Sequence, residues 1–393
     1  MTNTTPWRVA WASFFTLGIS IGMPYYSLPF FYDYFEQAYG WSRSSITLGL
    51  PLAALATIWM GPLFAHRLRP NRSIMLGAAL NLAAFAWFAN LSGSLLEYRA
   101  AWMLYMAGFL FTGPIPHQIL VAQWFLERRG SALAIGNLGV SLIGAVTVPF
   151  LVRPLTSAFG FRAALGAMAA LHLVVIPVAA LFLGEKPGFE RSNPLSEPPR
   201  PFSEILRARA FWVLLIGGAF SLAALGAVSQ HLKLIMRDAG YGTQAQLDAA
   251  FSNTMLVLLI SSAAGRVTIG WAADRFPKRW VLSAGFVVLA VSLPMLLLLR
   301  PPQPPYVFAA LYGFCLAADF LIVPILAAEH FGSATLGRVM SVIVPANTIG
   351  QTWSPYGVSL VREAAGSYTM PLLVVFGFAI AGRLALALLP EKR

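Results

Sequence analysis

Apolar runs of about the ~20 residues that a helix needs to cross a bilayer follow one another along this chain, separated by short polar breaks. Reading helix between the breaks places spans at 9–32, 44–65, 74–91, 100–125, 131–151 and 162–183. After a polar stretch come 211–237, 248–273, 280–299, 306–329, 337–361 and 368–389. The pattern predicts an all-α polytopic membrane protein with twelve transmembrane helices. The first run begins near Trp7 with no separate cleavable segment before it, which predicts a retained helix and no signal peptide.

The longest break, 184–201, carries Pro187, Pro194, Pro198, Pro199 and Pro201 among charged residues and reads as an exposed linker. Ser203 and Glu204 then start a short amphipathic surface helix, 204–209. The expected organisation is a six-helix half over 1–183, a linker over 184–209 and a second half over 210–393. The halves also look related. Gly144, Pro149 and Gly160 match Gly350, Pro355 and Gly366 at one constant offset, and Gly61-Pro-Leu-Phe-Ala-His-Arg67 meets Gly270-Trp-Ala-Ala-Asp-Arg275 at nearly the same one. Such spacing suggests duplication of a six-helix unit, and parallel repeats place a solute site between halves near the membrane midplane.

Composition narrows the class. The apolar share is 58% and the charged share 11%, with a mean hydropathy of +0.70; soluble domains carry about 25% charged residues. A net charge of +12 could suggest nucleic acid, but the placement of the bases argues otherwise. With a cytoplasmic N-terminus, inner segments hold seventeen Lys and Arg against seven in outer ones. That is the positive-inside bias, and it puts both termini in the cytoplasm of a cell (inner) membrane protein. Cys315 is the only cysteine, so no intrachain disulfide can form.

The loop after the eighth span reads Gly270-Trp-Ala-Ala-Asp274-Arg275-Phe-Pro-Lys278-Arg279. It resembles the G-x-L-x-D-R-x-G-R-R signature of the major facilitator superfamily. The first-half copy has Ala65 where the acid belongs. An acid at a helix end can meet the positive N-terminus of a neighbour while the bases hold the interface. Within that superfamily, Trp124-Phe-Leu-Glu-Arg128-Arg129-Gly130, Asp238-Ala-Gly240 and Gly265-Arg266-Val-Thr-Ile-Gly270 resemble the monocarboxylate transporter and oxalate–formate antiporter branch. Two departures stand out: Trp7-Arg-Val-Ala-Trp11 replaces the expected acidic-Gly-aromatic signature, and Tyr25 stands where several animal members have a coupling lysine. The Gly-Pro-x-x-Gly-Gly pattern of drug–proton antiporters is absent. The resemblance implies a major facilitator fold, alternating access, and conformational gating by Asp274, Arg275, Arg128 and Arg129.

A charge at the centre of a membrane helix costs roughly 2.5–3.5 kcal/mol and marks function by default. The clearest here are Arg266 and Asp319. Arg266 precedes Asp274 by eight residues, about 12 Å of helix at ~1.5 Å per residue, which brings it near the middle of a ~30 Å core. A guanidinium fork suits bidentate capture of a carboxylate, and in the resembled branch an arginine of span eight is associated with that role. The other reading is an ion pair with Asp319 or bonds to helix carbonyls. Desolvation and a nearby arginine would pull on Asp319 in opposite directions, which suits either a proton site or a passive counter-ion. The animal members carry an acid one turn before the arginine, where this chain has Ser262.

His117 in span four is the deeper histidine and a candidate for the cavity. His231, toward the outer end of span seven, is a candidate for proton coupling, and Lys233 beside it is expected to snorkel. A lone histidine in a bundle is equally a packed, hydrogen-bonded residue. Asn347 and Gln351 offer hydrogen bonds to a solute or between helices, and Tyr25, Tyr312 and Trp353 could shape a partly apolar pocket.

Span eleven has no base between Arg338 at its inner end and Arg362 at its outer end, so one central cation is evident where a dicarboxylate would call for two. The resulting expectation is secondary transport of a small organic anion, a monocarboxylate, by proton symport or anion exchange, with lipid as the surrounding partner and the oligomeric state left open, a monomer being compatible with the sequence. Export of a hydrophobic drug-like or aromatic solute and a non-transporting membrane sensor are the rivals. No Walker loop, H-E-x-x-H pair or G-x-S-x-G elbow is present, so neither an enzyme nor a cofactor is expected, and no nucleic-acid partner.

Overall fold

The computed structural model describes residues 6–57, 68–125, 129–186, 200–316, 323, 326–327 and 329–389. Among them the regular structure is helix, with no strand. The chain divides into two compact units, Met1–Arg191 with Thr243–Leu259, and Ser192–Gly242 with Ile260–Arg393.

The first unit opens on one unbroken helical path. It runs through α1 (Pro6–Leu17), a π-helical turn at Gly18–Gly22, α2 (Met23–Ser27), a 3₁₀ turn at Leu28–Phe31 and α3 (Tyr32–Tyr39). Gly40, at φ 68°, closes α3 in the left-handed conformation that glycine adopts without strain. Helices α4 (Arg43–Thr47) and α5 (Gly49–Thr57) follow, then α6 (Pro70–Ala89) and α7 (Leu95–Thr112). Next come α8 (Pro114–Trp124), α9 (Arg129–Thr147), a second π turn at Val148–Val152, α10 (Arg153–Phe159) and α11 (Phe161–Phe182). Val9, Ile74, Leu120, Val121 and Val175 form a core between α1, α6, α8 and α11.

The π turn of the first path exists where two backbones nearly touch. A Cβ on Gly22 would strike the Val140 backbone of α9, one on Gly139 would strike the Phe14 backbone, and one on Gly18 would lie 2.8 Å from the Gly139 carbonyl oxygen. In a bilayer, helix association rests on such close packing of small residues, because lipid supplies no hydrophobic drive between helices.

The second unit holds α12 (Phe202–Arg207), α13 (Arg209–Asp238), α15 (Lys278–Ser292) with its 3₁₀ extension Leu293–Leu298, α16 (Tyr306–Cys315), α17 (Ser333–Ala365) and α18 (Thr369–Ala387). Helix α14 (Gln244–Arg275) gives its residues up to Leu259 to the first unit and the remainder to the second. Phe211, Ile269, Phe286, Phe331 and Ile343 build this unit's core. Here too glycine sets the closest pair. A Cβ on Gly226 would strike the Gln351 backbone of α17, and one on Gly350 would lie 2.6 Å from the Ala219 carbonyl oxygen of α13. Pro355 lies inside α17 and brings no N–H, so the Gln351 carbonyl loses its intrahelical donor at this contact.

Described helix occupies part or all of each of the twelve expected spans; the missing parts of the second and tenth lie outside the described residues. Pro70–Ala89, Ala132–Phe159, Phe161–Phe182, Arg209–Asp238 and Gln244–Ala272 are each long and apolar enough to cross a membrane. Large apolar side chains such as Phe150, Val267, Leu298 and Leu384 stand exposed, as suits contact with lipid.

Candidate functional site

In the first unit the expected site residue His117 is buried on α8. Its Nδ1 lies 2.9 Å from the Gly113 carbonyl oxygen. A carbonyl only accepts, so Nδ1 carries the proton and Nε2 faces the Thr16 hydroxyl at 2.7 Å. Gly113 is extended, with ψ −172°, and it breaks the fourth span into α7 and α8. The imidazole therefore binds the N-cap carbonyl of its own helix. His117 also lines a small recess of about 10 Å³, room for one water at most, with Ser13, Leu17, Pro114, Gln118 and Asn137.

Along the first helical path, Ser13, Ser20 and Ser27 are buried and their hydroxyls have no hydrogen-bond partner. The Oδ1 of buried Asn81 is likewise unpartnered, while its Nδ2 reaches the Ser20 carbonyl at 3.4 Å. Tyr25 is half-buried, edge-to-face with Tyr26 at 5.2 Å.

Farther along that path the Gln244 amide donates to Asp33 Oδ2 at 2.7 Å and to Asp248 Oδ1 at 3.0 Å. The Tyr34 hydroxyl donates to Asp248, and burial, with the Asp248 carboxylate second, pushes that hydroxyl's pKa above the ordinary tyrosine range. Asp33 is 0% exposed and Asp248 6%. Assigning charged residues to helix ends missed this cluster. Its sequence signal is the aromatic setting of Asp33, Phe30-Phe-Tyr-Asp-Tyr-Phe35.

In the second unit several polar residues are tied down. The Tyr312 hydroxyl donates to the Leu225 carbonyl at 2.5 Å and lies 2.8 Å from Ser229 Oγ. His231 Nε2 donates to the Pro355 carbonyl at 2.8 Å, leaving Nδ1 to accept from the Tyr368 hydroxyl at 2.8 Å. Arg362 reaches Asp238 Oδ2 with Nε at 2.7 Å and Nη2 at 2.5 Å, which joins the ends of α13 and α17. Asn347 is buried with its amide against Gly218 and its Oδ1 unpartnered. Gln351 and Trp353 are half-buried, the indole 6.3 Å from the Tyr356 ring.

Arg266 is half-buried on α14. Beside it, a Cβ on Gly265 would strike the Phe314 backbone, so α14 and α16 pack at contact distance there. Arg275 is exposed and lies 4.4 Å over the Trp271 ring. Asp319 and Arg128 lie outside the described residues, as do the side chains of Asp274 and Arg129. Lys233 corrects an expectation: it does not snorkel but is 0% exposed, because the whole stretch Ser221–Met236 of α13 is enclosed by its neighbours. The structure thus gathers Tyr312 and His231 along α13, and Asn347 and Gln351 one turn apart on α17, and it places His117 and Tyr25 in the first unit.

The sequence of residues 114–355 matches the model of the Major Facilitator Superfamily, well over half of the chain. Bovine monocarboxylate transporter 13 is 24% identical over 398 residues, which cover 98% of this chain and 89% of that protein. The "Uncharacterized MFS-type transporter YhjX" of Escherichia coli is 26% identical over 56% of this chain and 54% of its own length. The riboflavin transporter MCH5 of Saccharomyces cerevisiae is 25% identical over 56% of this chain and 46% of its own. The matches thus span about half of the bacterial and yeast proteins. This chain belongs to the major facilitator superfamily, as a multi-pass membrane protein of the transporter class rather than an enzyme, and it resembles the monocarboxylate transporter branch.

Proposed function

We propose that this protein carries a small organic anion, a monocarboxylate, across the cell membrane by proton symport or anion exchange with alternating access. Its halves, 1–183 and 210–393, rock about a central site, and both termini face the cytoplasm. The observation that carries the reading is Arg266, a half-buried guanidinium well inside α14, a helix apolar enough to span a bilayer. Holding a charge there costs roughly 2.5–3.5 kcal/mol, and a carboxylate in the fork would offset that cost during each cycle. Asp319 supplies the proton site, so that its protonation frees Arg266 for the anion. Tyr25, His117, Tyr312, Asn347, Gln351 and Trp353 contribute hydrogen bonds and aromatic walls. His231 assists the proton, while Asp274, Arg275, Arg128 and Arg129 gate the cytoplasmic side. Relatives named monocarboxylate transporters align along nearly the whole chain.

The test is uptake of a labelled monocarboxylate into proteoliposomes, with and without an imposed proton gradient, for wild type and Arg266→Ala. The expected result is saturable uptake that the gradient drives and Arg266→Ala abolishes. Full proton coupling in Asp319→Asn would remove Asp319 from the mechanism. The yeast relative's name, riboflavin transporter, favours a second reading, carriage of a larger aromatic solute. Riboflavin competing while carboxylates fail to compete would establish it.

A further inference from the structure

We propose that α12 and the start of α13 form a seat for an anionic phospholipid, with Phe202, Leu206 and Trp212 against its acyl chains and Arg207 and Arg209 on its headgroup phosphate. The inference concerns the lipid around the protein and stands whatever cargo is carried.

The seat begins with a short helix at the foot of a spanning one. Helix α12 ends at Ala208, which is extended with ψ 122°, so the chain turns there before α13 begins. Ile205 is the buried residue of α12 and joins Phe211, Leu214 and Ile343 in the core of this unit. Its burial fixes which sides of α12 are left outside. Phe202 and Leu206, one turn apart on one face, are 45% and 44% exposed. The Trp212 indole donates to the Leu206 carbonyl at 2.7 Å and keeps its ring 47% exposed. That bond sets the indole beside Leu206, so the apolar side of α12 continues onto α13.

On α13 the residues Arg209, Trp212 and Ile216 share one face, spaced by three and four, and all three are exposed. Helix α13 is long and apolar enough to cross a bilayer, so its exposed face is the one that meets lipid. At ~1.5 Å per residue, Ile216 lies about 6 Å deeper than Trp212, and Arg209 about 4.5 Å nearer the water. Indole rings collect at the level of the headgroups, which puts Arg209 among them and Phe202 and Leu206 at the edge of the hydrocarbon. The end of α14 agrees. Its Ile269 shares the core with Phe211, and Trp271 and Trp280 beyond it stand exposed.

Charge decides which lipid fits. Arg207 and Arg209 are exposed and, among the described residues, neither makes an ion pair. Glu204, one turn before Arg207, is exposed and pairs with neither. Arg200 adds a third exposed base. Arg338 adds a fourth, donating to the Arg200 carbonyl at 2.9 Å with its guanidinium 5.9 Å from the Phe202 ring. Four bases and one acid around an exposed apolar face suit a partner that is greasy at one end and anionic at the other. Guanidinium forks match phosphate oxygens, and amphipathic surface helices bind through apolar area plus attraction to anionic lipid. A zwitterionic headgroup carries its own cation and gains little from these arginines.

The full-length protein in neutral detergent, melted against rising phosphatidylglycerol, tests the seat. Phosphatidylcholine with the same chains and glycerol phosphate at matched ionic strength are the controls. Phosphatidylglycerol is expected to raise the melting midpoint saturably, and the controls are expected to leave it unmoved. Arg207→Gln with Arg209→Gln should melt like wild type without lipid, since neither side chain holds an ion pair. It should need roughly twentyfold more phosphatidylglycerol for the same shift, about fivefold for each charge. Arg209→Gln alone serves where the double variant is unstable, and should need about fivefold more. Arg207→Lys with Arg209→Lys keeps both charges and should lose no more than a few-fold. An unchanged phosphatidylglycerol requirement in either Gln variant overturns the seat. Equal stabilisation by phosphatidylcholine would make it a neutral acyl contact, and equal stabilisation by glycerol phosphate a free-phosphate site. Either result overturns it.

Discussion

The helix pair α1–α9 of the first unit and the pair α13–α17 of the second are built on the same packing and opposite polar chemistry. Each brings two backbones together through glycine, at Gly18, Gly22 and Gly139 in one and at Gly226 and Gly350 in the other. Around α13 and α17 several polar side chains reach partners: Tyr312 of α16 to Leu225, His231 to Pro355 and Tyr368, and the partly exposed Arg362 to Asp238, while Asn347 Oδ1 has none. Along the first path Ser13, Ser20 and Ser27 reach nothing. A satisfied network rigidifies what it joins, while an unsatisfied buried donor holds binding capacity in reserve. The second unit spends more of its polarity on structure, Asn347 Oδ1 excepted, and the first keeps more of it available.

The largest effect should come from the feature the two pairs share. Gly139→Val or Gly226→Val puts a side chain into a partner's backbone and should cost on the order of 3 kcal/mol or more, read as loss of monodisperse protein on size exclusion. A well-behaved variant at either position would show that the backbones are not so close. His231→Ala should follow, at about 2 kcal/mol, because the Tyr368 hydroxyl loses the imidazole as acceptor and the Pro355 carbonyl keeps only the Ser359 hydroxyl of its two side-chain donors. Thermal melts in detergent would show it, and an unchanged midpoint would end the contrast between the units.

Arg362→Met should cost up to about 1 kcal/mol and less in high salt, since both partners of the Asp238 pair are partly exposed, at 21% and 19%. The smallest effect belongs to the unpartnered hydroxyls. Ser27→Ala should change the midpoint by no more than about 0.5 kcal/mol, and toward stability, because no bond is lost. Clear destabilisation by Ser27→Ala would mean that the first path is as tied as the second.

Some of this was legible in the chain. The apolar runs located most described helices, because a bilayer leaves a spanning segment little alternative to helix, though helix continues to Tyr39 and Phe159, beyond the expected ends at 32 and 151. The Gly-Pro spacing shared by the halves pointed at the residues where the close pairs form: Gly144 lies 3.2 Å from the Gly22 carbonyl oxygen for an added Cβ, and Gly350 makes the matching approach in the other unit. Arg266 and His117 were recognisable because polar side chains are rare in such runs. Lys233 and Asp33 were misjudged because snorkelling and burial are alternatives that depend on which helix face a neighbour covers. The serines at 13, 20 and 27 recur every seventh residue, yet a serine in a membrane helix usually satisfies itself on its own backbone, so the spacing alone gave no reason to expect free hydroxyls.

The sequence by itself determined the class of protein, the number and placing of apolar segments and their chemical rarities, since these depend on local composition against a ~30 Å hydrocarbon layer. The tertiary structure decided which polar groups are partnered. Whether a hydroxyl, an imidazole or an ammonium is satisfied depends on atoms a hundred or more residues away, as Thr16 and His117, or His231 and Tyr368, show. Pairing is a property of helix faces brought together, and no single segment contains it.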